Sequence, residues 1–356
     1  MKPGRRGFLG CAIGLAVAAG WARPGLAAER QGTGERLVKT YITPAMREFQ
    51  RSAAVMRELL QQSCQGDTPL QAERLAEGFR ALAAAWSRIA FLRFGPLVAD
   101  NRFERILFWP DPRGVMLRQI RPLMQGKQPL EDLRAQSVAV QGLPALEYAL
   151  YGDQGLLVDK PATGEQGACE YAAAVAANLA QVGDALWQAW KPDGEYAKDF
   201  GQPGERNTYY RSEHEVLAEA IKALSAGLRF EGDVKLKTAL GAQQDKAKPK
   251  TLPFWRSGLS FYAIAQAAQG LADFHQAAGF APEPDWLARG LDQELRQSAD
   301  ILLEHEGQVQ KMGEDPDLYR ELTLVVLKLD NARRMVDEDL AGALGVGMGF
   351  NALDGD

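Results

Sequence analysis

The chain has 356 residues, of which 46% are hydrophobic and 24% charged, and a formal net charge of −5. This length buries a large core and predicts two domains of ordinary globular composition. The acidic balance argues against nucleic acid and an anionic membrane surface as partner, and is compatible with a cationic ligand.

Residues 1–28 stand apart from the rest. Arg5-Arg6 precede an apolar run of 14 residues from Phe8 to Trp21, short of the about 20 needed to span a bilayer. Small residues at Gly25-Leu26-Ala27-Ala28 offer cleavage after Ala27 or Ala28, and the paired arginines predict the twin-arginine export route. Too little apolar sequence precedes Cys11 for lipid attachment, so simple cleavage and a periplasmic mature protein without an integral membrane segment are expected. Cleavage removes Lys2, Arg5, Arg6 and Arg23 and no acid, leaving 37 basic residues against 46 acidic, a net −9. Cys64 and Cys169 remain. An oxidising compartment permits a disulfide between them, but sequence does not show that they meet.

From Pro44, Phe49, Ala53, Met56 and Leu60 recur at helical spacing, and Gly66-Asp67 ends that helix. Thr68-Pro69-Leu70-Gln71 reads as the capped start of the next. Its apolar stripe is Leu75, Phe79, Leu82, Trp86 and Ile89, and Arg93 is the next residue in register. An arginine there is either a side chain snorkelling at a helix end or a clamp for an anion or carboxylate. After Phe94-Gly95-Pro96, the stretch Phe108-Trp109-Pro110-Asp111-Pro112-Arg113-Gly114 predicts a rigid turn whose aromatic residues pack it down, with Trp109 and Asp111 as candidate contacts. A helix is expected from about Leu130 to a break at Gly142-Leu143-Pro144, since proline cannot donate to the carbonyl four residues back. A short helix then reaches Tyr151. With Pro144 near its first position, Glu147 falls in the first turn, as a helix cap or as a functional carboxylate.

Thr163 is expected to cap a helix with the stripe Tyr171, Val175, Leu179, Val182, Leu186 and Trp190. Residues 191–206, polar and containing Gly and Pro, are expected to link an N-terminal bundle (29–190) to a C-terminal one (207–356). Ser212-Glu213-His214-Glu215 is a capping box leading into Val216, Ala220, Leu224 and Leu228. Residues 241–253 read as a solvated loop. Further helical stripes hold Leu259, Tyr262, Ala265, Leu271 and Phe274, then Leu287, Leu291, Leu295 and Leu302, and finally Leu318 through Leu340. No alternating strand pattern appears. The expected fold is all-α, with two tandem helical bundles in which each stripe is buried by its neighbours, and a duplication is compatible with it.

Enzyme signatures are missing. The three histidines, His214, His275 and His305, form no HxxE or HExxH and are expected at the surface. There is no GxSxG elbow, no phosphate-binding glycine loop and no CxxC.

Four segments nevertheless resemble the imelysin family of exported bacterial proteins, also called insulin-cleaving or iron-regulated proteins. They are Trp86 to Pro96 with Arg93-Phe94-Gly95-Pro96, Phe108-Trp109-Pro110-Asp111, Gln141-Gly142-Leu143-Pro144-Ala145-Leu146-Glu147, and the terminal Leu344 to Asp356. The resemblance implies two helical domains, a site between them at a GxHxxE motif, and a link to iron acquisition at the cell envelope. The motif's glycine falls on Gly142 and its glutamate on Glu147, while Pro144 occupies the histidine position.

Proline has no ligand atom, so the set of groups a metallopeptidase needs to activate water is incomplete and no catalytic residue is assigned. Glu147 is the leading candidate contact, and Arg93, Asp111 and Trp109 come from matching segments. The leading expectation is a periplasmic, non-proteolytic binding protein for iron or an iron chelate. Without imidazole, any metal would be held by oxygen ligands, which suits ferric iron. The alternatives are a metallopeptidase of the imelysin type and a scaffold that docks another envelope protein.

Overall fold

The computed structural model describes residues 1, 32–64, 71–128, 130, 132–158 and 165–347. Residues 2–31 (which hold the expected leader peptide), the Gly66-Asp67 stop, the Thr68-Pro69-Leu70 cap, the Thr163 cap and residues 348–356 lie outside the described residues. Among those described there is no strand, and the fold is all-α.

The helical path opens with Thr33–Leu37, passes a π-helical stretch Val38–Ile42 and continues as α1 (Thr43–Ser63), with Pro44 directly after the π-helical stretch. The α2 helix (Ala72–Ser87) buries Leu75, Phe79, Leu82 and Trp86 as the spacing predicts. It ends before Arg93. The helix α3 (Val115–Met124) was not foreseen. Pro122 near its end hides the pattern, yet Met116, Ile120 and Leu123 face inward at helical spacing.

The helix expected from Leu130 is absent. Leu133–Ala135 and Val138–Val140 form two single 3₁₀ turns instead, each started by a side chain, Asp132 and Ser137, that accepts a backbone N–H two residues on. Such local bonds compete with helix formation. They deliver the chain to α4 (Gly142–Tyr151), which lies against α5 (Glu165–Trp190).

The helix α1 packs along both α2 and α5, with α3 and α4 against α5. Within the polar segment 191–206, α6 (Glu195–Gly201) packs Tyr196 against Trp190 at 4.9 Å and Phe200 against Phe94 at 5.5 Å between ring centres. The second group comprises α7 (Glu213–Arg229) with its π-helical continuation Phe230–Lys237, then α8 (Ser260–Ala278), α9 (Asp285–Glu304) and α10 (Pro316–Arg334). Its N-terminal cap is a variant of the expected box. Ser212 Oγ accepts from Glu215 N, but the Glu215 carboxylate accepts from Arg211 N rather than from the capping residue's own N–H. Contacts between α2 and α8 join the two groups, and their apolar faces form one continuous core.

Cys64 at the end of α1 and Cys169 in α5 form a disulfide, with Cα atoms 5.5 Å apart. Of the histidines, only His214 is at the surface. His275 is buried, with Nε2 2.7 Å from Glu283 Oε1, and His305 is partly buried against Glu321. Each has found a carboxylate from a neighbouring segment, which sequence spacing does not reveal. No described helix is long and apolar enough to cross a membrane.

Candidate functional site

The start of α4 is fixed by polar groups that are themselves buried. Gln141 is 1% exposed, and its Oε1 accepts from Asn178 Nδ2 at 2.9 Å and from Arg105 Nε at 3.2 Å, while Tyr171 OH donates to the Val140 carbonyl at 2.8 Å. Gly142 follows with φ +81°, and a Cβ there would lie 2.4 Å from the Ile106 carbonyl oxygen. Both the left-handed backbone and the close approach demand glycine at this position. The motif glycine therefore seats the helix against the short helix Arg102–Ile106.

From Gln141 to Leu150 only Pro144 is not fully buried. It shares a helix face with Glu147 three residues on, and both line a cavity of about 600 Å³. One wall is the 108–117 turn and the start of α3; the other is formed by Val234, Thr238 and the strap from Lys250 to Arg256. The cavity thus lies between residues contributed by the two halves of the chain. It falls within the usual size range for small-molecule sites.

Glu147 does not cap its own helix. No acid occupies the first turn of α4, and Glu147 is 2% exposed, with Oε1 accepting from Ser257 N at 2.8 Å and Ser257 Oγ at 2.9 Å. Burial pushes its carboxyl above the usual carboxylate range, opposed by the Ser257 N–H and hydroxyl and by the nearby Arg256. The same strap holds Phe254 at φ +61°, a conformation bulky residues rarely adopt. Phe254 is buried, with its ring 6.0 Å from that of Phe79 in an edge-on contact.

Asp111 also lines the cavity, but both of its oxygens are engaged. They accept the Val115 and Met116 N–H groups at 2.8 and 2.9 Å, which starts α3. Trp109 lines it too, its Nε1 donating to the Thr251 carbonyl at 2.8 Å and its ring edge-on to Phe230. Arg93 does not line the cavity. Its guanidinium stacks 3.8 Å from the Phe103 ring centre and 4.7 Å from that of Phe230. It is neither a snorkel at a helix end nor a carboxylate clamp but a cation between two aromatic faces.

Sequence reasoning passed over the strap. Residues 241–253 are solvent-facing only in part, because Leu252 and Pro253 are buried and Lys250 and Thr251 line the cavity. The dense run Phe254-Trp255-Arg256 after a polar loop was the available signal.

These groups do not fit a resident metal ion. Among the described residues no three His, Cys, Asp or Glu side chains converge, and the cavity's acids already accept hydrogen bonds. Structural and catalytic zinc sites use at least three protein ligands.

A two-bundle helical fold with a cavity at a glycine–proline–glutamate motif between its halves defines the class. The chain belongs to the imelysin family (peptidase M75), whose model matches residues 42–335. Two solved structures share the fold. An imelysin-like protein from Psychrobacter arcticum 273-4 superposes with a TM-score of 0.73 at 19% identity, covering 91% of this chain and 98% of its own. A protein from Parabacteroides distasonis ATCC 8503, described as an iron-regulated protein A precursor, superposes with a TM-score of 0.69 at 10% identity, covering 87% and 95%. No curated protein matches the chain.

Proposed function

We propose that this protein is an exported, non-proteolytic imelysin-family binding protein that serves iron uptake or handling in the periplasm. In this reading it holds its ligand in the cavity at Pro144 and Glu147, between the 29–190 and 207–356 halves. One observation carries the reading. From Gln141 to Leu150 the one partly accessible position is an apolar proline, and the glutamate beside it is already bonded to Ser257. The water-activating ligand set of a metallopeptidase therefore has no counterpart among these side chains, whereas a cavity of this size suits a chelate or another organic ligand. The iron-regulated description of the Parabacteroides protein supports the link to iron. Export is supported by the arginine-led apolar segment at residues 5–21 and by the Cys64–Cys169 disulfide, a bond favoured outside the cytoplasm. The scaffold reading is weaker, since Trp109, the residue that would dock a partner, lines the cavity, with its Nε1 bonded to the Thr251 carbonyl.

The test is titration of residues 29–356 with ferric citrate by calorimetry, together with thermal unfolding. Heat and protection from unfolding are expected. Absence of both, or hydrolysis of a protein substrate that a chelator abolishes and Glu147→Gln removes, would overturn the reading.

A further inference from the structure

The charges around the cavity are not equally available. Its two acids are already engaged, Asp111 through both oxygens by the first N–H groups of α3 and Glu147 through Oε1 by Ser257. Its two cations are not. Among the described residues neither Lys250 nor Arg256 has a side-chain hydrogen bond or an ion pair. Both lie against the same indole, Lys250 Nζ at 5.4 Å and the Arg256 guanidinium carbon at 4.2 Å from the centre of Trp255. Arg256 also faces the Tyr148 ring at 5.2 Å.

The remaining surface is mostly apolar, and the hydroxyls of Thr238 and Thr251 donate to the Asp233 and Lys248 carbonyls. Trp109 has used its single donor on Thr251, so it offers the cavity only its ring. Phe108, Pro144 and Phe254 add no hydrogen-bonding side-chain group. A cationic ligand would have to compete with two backbone N–H groups for Asp111 and with Ser257 for Glu147 Oε1. An aliphatic polyol would set most of its hydroxyls against aromatic walls, at the cost of their hydration. A planar ligand with negative oxygens on one edge matches both features, because guanidinium and ammonium groups form strong charge-assisted bonds to such oxygens while its ring meets aromatic faces.

Granted the binding function proposed above, we infer that the cavity takes an aromatic anion, a ring bearing carboxylate or catecholate oxygens, with Lys250 and Arg256 as its charge-recognising residues. This ligand class also accounts for an iron link without protein ligands to iron. A catecholate supplies hard oxygen donors of its own, the kind ferric ion prefers. The acidic chain as a whole repels an anion at long range, so the attraction is local to these two side chains.

Calorimetric titration of residues 29–356 with 2,3-dihydroxybenzoate, with its ferric complex and with benzyltrimethylammonium tests the inference. Binding of the anion, free or ferric, is expected, with affinity falling about tenfold in Lys250→Gln or Arg256→Gln, the scale of one lost charge-assisted hydrogen bond. Lys250 is exposed, so its variant should melt as the parent does and separates recognition from folding. Preference for the cation, unchanged affinity in both variants, or no heat with either anion would overturn the inference. Failure of the two proposals is distinguishable. Ferric citrate binding without aromatic anion binding sinks the ligand class alone, while chelator-sensitive proteolysis lost in Glu147→Gln sinks the functional reading itself.

Discussion

Ser257 gives both its backbone N–H and its hydroxyl to one oxygen of Glu147, at 2.8 and 2.9 Å, across 110 residues of chain. The two bonds tie the strap carrying Trp255 and Arg256 to the motif helix. Glu147→Ala leaves the Ser257 N–H without an acceptor in a buried place and is expected to cost about 1–3 kcal/mol at neutral pH, measured by urea denaturation.

The same carboxyl makes stability depend on pH. Burial raises the native pKa of Glu147 above its ordinary value, so the native state takes up the proton before the unfolded chain does. The contribution to folding is then full below the ordinary carboxylate range and is lost as pH rises through the raised native value. Glu147→Gln keeps an oxygen for Ser257 and removes the titration. Its urea midpoint relative to wild type should rise as pH is increased through that window, and a constant difference would contradict the account.

Glu231 and Lys235 form an ion pair in the π-helical stretch Phe230–Lys237, each 4% exposed, with Nζ 2.7 and 2.8 Å from the two carboxylate oxygens. Burial pushes both groups towards neutrality, Glu231 upwards and Lys235 downwards, and each opposes that shift in the other. Lys235→Met alone strands a buried carboxylate and should cost about 3–5 kcal/mol, whereas Glu231→Leu with Lys235→Met should recover most of the loss. Equilibrium unfolding of the single and double variants provides the comparison.

The disulfide closes a loop between residues 105 apart in sequence. Removing so long a cross-link frees the unfolded chain by an amount that chain-entropy arguments put at about 4–5 kcal/mol, with measured cases spanning about 2–5. A Cys64→Ser/Cys169→Ser variant should therefore melt several degrees lower, read by circular dichroism with and without reductant on the parent.

Restoring the family's imidazole by Pro144→His is expected to create neither tight zinc binding nor peptidase activity. The new side chain would share a helix face with Glu147, but two protein donors fall short of the three that such sites use, and Asp111 is held by two backbone N–H groups. Zinc titration of the variant checks this, and nanomolar affinity would refute it.

The candidate site was only half legible in the sequence. Gly142, Pro144 and Glu147 stood out through resemblance, and Trp109 and Asp111 from a matching segment line the same cavity. Arg93 came from an equally good match, yet it sits between Phe103 and Phe230, away from Glu147's cavity. Lys250, Trp255, Arg256 and Ser257 were hidden in a stretch that looked like solvated loop, because a polar loop crossing a cavity and one facing water have similar composition.

The helices with long apolar stripes were fixed by local periodicity. Residues 49–60, 171–190, 216–228 and 287–302 repeat an apolar side chain every three or four positions, and only a helix places such residues on one face. Short segments behaved otherwise. Residues 130–141 and 115–124 are too brief for periodicity to outweigh capping side chains or a proline, so tertiary packing decided them. The bond between Glu147 and Ser257, the pairing of Cys64 with Cys169 and the freedom of Lys250 and Arg256 likewise depend on groups far apart in the chain. Local spacing says which face a residue occupies; which distant group it meets follows only once the helices have packed.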